Sequence, residues 1–305
     1  MPELPEVETV CRQLEPEVRG RRIERIEIHD PRWSRPATPE VISRGVEGRT
    51  IEAIGRRGKY ILIALDDGST LLMHLRMTGN LVIGSERLGG ERIYEAEMST
   101  EERHLRAELA LDDGRSLRFT DPRRFGHAAL LGPGDLEPYL GERLGVEPLS
   151  GDLTPAYMLE VAAGRTAPLK SFLLDQKHIA GIGNIYADEA LHRARLHPLS
   201  PAGSLRAEHA EDLCEGIADA LELGIRNGGS SIDDYRDARG DEGSMQDEFL
   251  VHTREGEDCP RCGERISRIV VGGRSTYFCP SCQIRLRRRP RRRRRPRPRP
   301  EAKRR

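Results

Sequence analysis

Four cysteines near one end of the chain constrain its folding more than any other feature. Cys259 and Cys262, then Cys279 and Cys282, form two C-x2-C pairs separated by sixteen residues. Each pair is a tight knuckle offering two thiolates, and the stretch between them suits a β-hairpin. Four converging thiolates favour tetrahedral Zn2+, with disulfides or redox cysteines as the alternatives. No ligand position is left open to a substrate, so the reading is one structural ion. Such an ion contributes about 10–16 kcal/mol to the folding of a small module. Cys11 and Cys214 fall on apolar helical faces and read as small buried hydrophobes in a reducing cytosol.

The 305 residues suffice for two domains besides this module. No apolar run approaches the length of a membrane-spanning helix, and MPELPEVETV lacks the apolar core of a signal peptide. A cytoplasmic, monomeric protein with no membrane partner is expected. The 50 Lys+Arg balance 50 Asp+Glu, which at face value argues against a nucleic-acid partner. The balance hides a segregation. Residues Gln283 to Arg305 carry 14 basic side chains and one acid, leaving 36 basic against 49 acidic in the body. An acidic body with a basic tail points toward nucleic acid or an anionic surface.

Val7, Val10, Cys11, Leu14 and Val18 recur at helical spacing over Pro5–Val18, with acids in the first turns and Pro16 as the expected end or distortion. Strand patterns follow at Ile23–Ile28, Lys59–Leu65, Thr70–Leu75, Leu81–Ile83, Leu105–Leu111 and Ser116–Phe119. Asp-Asp-Gly turns punctuate them at 66–68 and 112–114. The fold class is therefore α+β: an antiparallel sandwich or barrel with one N-terminal helix over residues 1–131, then a linker at 132–151. A helical domain is expected at 152–245, with helices near Thr154–Gly164, Pro168–Gln176, Ile185–Ala194 and Leu205–Leu223. Phe249–Val251 reads as a short strand, the zinc module spans 246–283, and 284–305 reads as a disordered Arg/Pro tail.

The N-terminus itself carries potential chemistry. With Met1 removed, Pro2 presents a secondary amine of a class that titrates near pH 8, so an appreciable fraction is neutral at pH 7. Attack by that amine on a sugar C1′ gives a cationic iminium, which eases elimination along the sugar. Glu3 is placed to deliver a proton and Glu6, one turn on, to orient the amine. Taken alone these residues are weak evidence, because an acidic first turn ordinarily just complements a helix dipole.

Longer motifs carry a resemblance. MPELPEVETV, HLRMTGNL at 74–81, DPRRFG at 121–126, GIGNIYADEAL at 181–191 and the cysteine module together resemble the formamidopyrimidine-DNA glycosylase family, over residues 1 to about 283. The resemblance implies a helix–two-turn–helix domain and a zinc hairpin, and damaged double-stranded DNA as partner. It also implies excision of oxidised purines followed by β,δ-elimination at the abasic site. It implies Pro2 as nucleophile, Glu3 as general acid, Lys59 and Arg274 as phosphate-gripping groups that assist elimination, and His104 and Asn184 as DNA contacts. Met77, Arg123 and Phe125 would fill the gap left by a nucleotide flipped out of the stack. A glycine-rich turn before Asn184 would offer helix N–H groups to a phosphate. The segment 228–243 would close over the flipped base, although Asn227, Ser230, Ser231 and its acidic run depart from the family pattern. Three rivals stay open on the sequence: an endonuclease VIII-like enzyme for oxidised pyrimidines, a non-catalytic DNA-binding relative and a zinc-ribbon nucleic-acid-binding protein. If the leading reading holds, the surplus acids should lie away from a basic groove between the two domains.

Overall fold

A computed structural model describes residues 1–84, 102–232 and 234–287. Helix α1 (Leu4–Val18) opens the chain. Two four-stranded antiparallel sheets follow, built from β1 (Ile23–Ile28), β2 (Ile51–Arg57), β3 (Tyr60–Leu65), β4 (Thr70–His74), β5 (Asn80–Gly84), β6 (Leu105–Leu111), β7 (Ser116–Thr120) and β8 (His127–Leu131). One sheet has the order β1-β6-β7-β5 and the other β2-β3-β4-β8. Alternation along β6 and β7 sends Ala107, Leu109, Leu111, Leu117 and Phe119 into the core and their neighbours outward, the burial expected of a half-solvated sheet. In the second sheet β4 is buried along its whole length. A short helix, α2 (Pro39–Val46), covers part of the first domain through Ile42 and Val46.

The helical domain comprises α3 (Leu136–Gly141), α4 (Pro155–Ala162), α5 (Leu169–Leu173), α6 (Asn184–Arg193) and α7 (Ala207–Arg226). Ala210, Leu213, Ile217, Ala220, Leu221 and Gly224 form the buried stripe of α7. Its solvent face carries exposed Glu208, Glu211, Asp212, Glu215, Asp219 and Glu222, so part of the acid surplus lies there. The last unit is a hairpin, β9 (Ser267–Val271) and β10 (Arg274–Phe278), turning through Gly272 and Gly273 at φ 58° and 76°. Two successive positive φ values make the tight turn that matches strand twist, a geometry open to glycine. Among the described residues no helix is long and apolar enough to cross a membrane.

Helix α1 joins the two domains. Leu4 packs in the helical core, while Val7, Val10, Leu14 and Val18 pack in the sandwich core. The first residues of the chain therefore lie at the seam.

The structure corrects several expectations. Pro16 does not end α1, which runs to Val18; in the last turn the missing N–H removes one bond and the Arg19 N–H still reaches Glu15. Phe249–Val251 forms no strand: the N–H groups of Leu250, Val251 and His252 all point to the buried carboxylate of Glu189, which takes the place of a strand partner. Strands β2 and β8 and helices α2 and α3 lie where no element was expected, being short or mixed in pattern. Disorder does not begin at 284. Ile284 pairs with Leu196, and Leu286 donates to Ser200 Oγ at 3.0 Å while packing on the helical core. The rest of the tail, from residue 288, lies outside the described residues.

Candidate active site and nucleic-acid interface

Pro2 and Glu3 are both buried at the seam. The Leu4 N–H donates to the Gly181 carbonyl at 3.0 Å, and the Glu3 carboxylate accepts the N–H groups of Ile185 at 3.1 Å and Tyr186 at 3.4 Å. These are the free amides of the first turn of α6, whose N-cap is Gly183. Two of the amides at this helix N-terminus are thus taken by the protein's own acid. It also explains the glycines of GIGN: a Cβ on Gly183 would lie 2.2 Å from the Glu3 carboxyl carbon, and one on Gly181 2.6 Å from Leu4.

Glu6 is buried one turn further on. It accepts the Glu3 N–H at 2.8 Å, the Tyr186 hydroxyl at 2.8 Å and the Ser230 N–H at 2.8 Å. It therefore grips the peptide that follows Pro2 and orients that residue through the backbone. Burial raises its carboxyl above the usual range, the Glu3 charge adds to this, and the three donors oppose it.

Lys59 lies at the end of the β2–β3 hairpin and is buried. Among the described residues it makes no ion pair. Burial pushes its ammonium below the usual lysine range, Glu3 and Glu6 pull it back, and Arg274 presses it down again. Lys59 thus shares one electrostatic neighbourhood with both acids and the zinc-hairpin arginine. The hairpin is fixed from outside: Arg56 bonds Glu8 at 2.7 Å and Glu147 at 2.8 Å, and Arg57 bonds Glu147 at 2.9 Å. Glu8, read as a helix-dipole acid, is part of this clamp.

A second cluster forms on the sandwich loops. Buried Asp121 accepts from Thr78 Oγ1, the Arg123 N–H at 3.1 Å and the Gly126 N–H at 2.7 Å. Its own N–H donates to the His104 carbonyl at 2.8 Å. Asp121, through its carboxylate and its own N–H, thereby gathers the loops that carry Met77, His104, Arg123 and Phe125. Met77 is half-buried, Phe125 is 55% exposed, and the Arg123 guanidinium lies 5.0 Å from the Phe125 ring centroid. Phe125 is the one aromatic among the exposed large apolar side chains of the described residues. His104 is half-buried, its Nδ1 lying 3.5 Å from an Arg106 nitrogen.

Asn184 stands at the start of α6 beside the zinc hairpin. Its Nδ2 donates to the Ser275 carbonyl at 3.1 Å, and its Oδ1 is buried without a partner among the described residues. Arg274 is exposed at the tip of the zinc hairpin. The segment 228–243 is laced down rather than free. Tyr235 is buried and donates to the carbonyls of Glu6 and Gly228, each at 3.2 Å; Asn80 bonds Asp234 and Arg236; Gln13 bonds Asp237 and Ala238.

The sulfurs of Cys259, Cys262, Cys279 and Cys282 lie within 4.8 Å of one another, with separations of 3.9 Å for Cys259–Cys282 and 3.5 Å for Cys262–Cys279. A tetrahedron with Zn–S bonds of about 2.3 Å has edges of about 3.8 Å, so the donor set fits one zinc ion. His192 Nε2 lies 3.4 Å from Cys259 Sγ and supplies an outer partner to that thiolate. Reading by motif missed Tyr186, Asp121, Lys170 and Asp188. The signal for Asp188 was present: Asn184, Asp188 and His192 recur every four residues along α6.

A sandwich and a helical domain that share the first residues of the chain, closed by a four-thiolate ribbon, define the class of zinc-ribbon DNA glycosylases. Family models match in order: the formamidopyrimidine-DNA glycosylase N-terminal domain over residues 1–128, its H2TH domain over 144–236, and a zinc finger found in FPG and IleRS over 256–284. The formamidopyrimidine-DNA glycosylase of Chloroflexus aurantiacus is 47% identical over 286 residues, 93% of this chain and 98% of the relative. Lactococcus lactis Fpg in complex with DNA containing an abasic site superposes with a TM-score of 0.82 at 36% identity, over 93% of this chain and 100% of that one. MutM in complex with carbocyclic 8-oxo-G containing DNA gives 0.81 at 36% identity, over 92% and 99%. The chain belongs to the formamidopyrimidine-DNA glycosylase family.

Proposed function

We propose that this chain excises oxidised purines, 8-oxoguanine and formamidopyrimidines, from duplex DNA and then cuts the abasic strand by β,δ-elimination. The observation that carries the reading is the burial of Pro2 and Glu3 at the domain seam, with Glu3 fixed on α6 and Lys59 buried in the same field. In its favour stand the solved relatives, which hold DNA with an abasic site or an 8-oxo-G analogue.

The proposed sequence uses the chain's own groups. After Met1 is removed, the Pro2 nitrogen forms a bond to C1′ and the base leaves with the glycosidic electron pair. Glu3 supplies the proton that the ring oxygen or departing base requires. The ring opens to an iminium. Loss of a C2′ proton breaks the C3′–O3′ bond, and loss of a C4′ proton then breaks the C5′–O5′ bond, each electron pair leaving on phosphate. Water releases the sugar remnant and restores the amine. Lys59 and Arg274 offset phosphate charge, and Glu6 holds the backbone beside Pro2. Met77, Arg123 and Phe125 occupy the stack behind the flipped nucleotide, recovering part of the few kcal/mol that unstacking costs. Zinc, held by the four cysteines, supplies folding of the hairpin that carries Arg274 and takes no part in the steps.

The test is borohydride reduction during turnover of an 8-oxoguanine duplex, with the adduct mapped by mass spectrometry. A sugar remnant on Pro2 is expected, and faster release of 8-oxoguanine than of thymine glycol. An adduct on a lysine defeats the mechanism, and preference for thymine glycol moves the chain to the pyrimidine-specific branch.

The tail is assigned to non-specific affinity. Residues 288–305 hold 12 basic side chains. Deleting them, while keeping Leu286, should lower the slope of log affinity against log salt by about 0.9 for each phosphate the tail neutralises. Single-turnover cleavage at saturating enzyme should be nearly unaffected. An unchanged slope rejects the assignment.

A further inference from the structure

The zinc hairpin is not simply packed on the helical domain. It is held by a polar stripe that runs along α6. Asn184, Asp188 and His192 recur every four residues and face the same module: Asn184 bonds the Ser275 carbonyl, Asp188 the Tyr277 N–H at 3.3 Å, and His192 the Cys259 sulfur. The middle residue does most. Asp188 is 1% exposed, and its Oδ1 accepts from Lys170 Nζ at 2.7 Å. Its Oδ2 lies 2.9 Å from His252 Nδ1 as well as facing the Tyr277 N–H. Lys170 is itself fully buried and makes a second bond, at 3.0 Å, to the Ser275 carbonyl. His252 stands edge-on to Phe249 and Tyr277, with ring centroids 5.4 and 5.1 Å away.

One carboxylate therefore ties together α5 through Lys170, the approach to the cysteine module through His252, and β10 through Tyr277. The strand it ties begins at Arg274, and the adjacent carbonyl at Ser275 is gripped twice. Arg274 is an exposed side chain at a hairpin tip, where nothing of its own would fix its direction. Buried, hydrogen-bonded groups can hold such a tip within the fraction of an ångström that chemistry requires, whereas exposed ion pairs contribute little.

We infer that Asp188 is a positioning residue which, through Lys170 and the backbone of β10, aims Arg274 at the phosphate that leaves in the second elimination. This rests on the role given above to Arg274. Loss of Asp188 should slow the δ step relative to the β step without stopping covalent capture at Pro2. A purely structural residue would lower capture, β product and δ product together.

The experiment uses full-length, zinc-loaded protein and a duplex with a preformed abasic site, so base excision drops out. The readouts are the borohydride-trapped fraction and the ratio of δ to β product in single turnover. For D188N, trapping should stay within about twofold of the parent while the ratio falls about tenfold, the scale of a displaced positioning group. R274A should lower the ratio at least as far, and D188N/R274A no further than R274A alone, because the two act on one step. His252→Phe keeps the aromatic packing and removes only the bond to Asp188. It should shift the ratio in the same direction by about threefold, and it serves should D188N lose zinc. Parallel loss of trapping and both products, or a further fall of the ratio in the double variant, overturns the inference. If R274A lowers the ratio and neither D188N nor H252F does, the inference alone fails. If R274A leaves the ratio unchanged, the role given to Arg274 fails and takes the inference with it.

Discussion

Placing one residue that resists removal ahead of Pro2 should reduce strand cleavage by a factor on the order of 10^4 or more. Acylated proline nitrogen shares its lone pair with the carbonyl and cannot form the bond to C1′. The loss should be chemical rather than structural, and the surroundings say why. Met1 is only half-buried. The bonds that fix the start of α1 come from Glu3, Leu4 and Glu6, and none uses the terminal amine. The extended protein should bind an uncleavable abasic-analogue duplex within about threefold of the parent, a difference of less than 1 kcal/mol. Borohydride should trap nothing. Cleavage within tenfold of the parent would remove Pro2 from the mechanism.

The same residues show what could be read from the sequence and what could not. The cysteine spacing gave the thiolate cluster because a C-x2-C knuckle is a local geometry, set by two residues and a turn. The sandwich was legible from alternating runs and Asp-Gly turns for the same reason. Contacts between distant segments were not. Nothing local in GIGN says that Glu3, some 180 residues away, will take two amides of the helix N-terminus. Asp121 lies inside a motif quoted for its neighbours, yet its part in gathering two loops depends on Thr78 and on the His104 carbonyl. Phe249–Val251 looked like a strand because periodicity reports apolar side chains. The backbone there was satisfied by a carboxylate from another helix.

Replacing Cys279 by serine should unfold the zinc module while leaving the sandwich intact. Cys279 is fully buried; its sulfur accepts the Cys282 N–H at 3.4 Å and its own N–H bonds Gln283 Oε1 at 2.8 Å. Around it the apolar core is small: Val251, Cys259, Ile266 and Cys279, with Tyr277 and Cys282 beside them. Such a cluster is too small to order the module by itself, and zinc binding adds about 10–16 kcal/mol to its folding. The first domain has its own extensive core and does not share that dependence. In C279S, bound zinc should fall well below one per chain, and the amides of β9 and β10 should exchange at the rates of an unfolded segment. Those of β3, β4 and β6 should stay protected. Because the hairpin carries Arg274 and is gripped by Asn184 and Asp188, its collapse should cost the δ product first and strand binding next. Hairpin amides that stay protected after the metal is lost would show that packing on α6, and not zinc, holds the module in place.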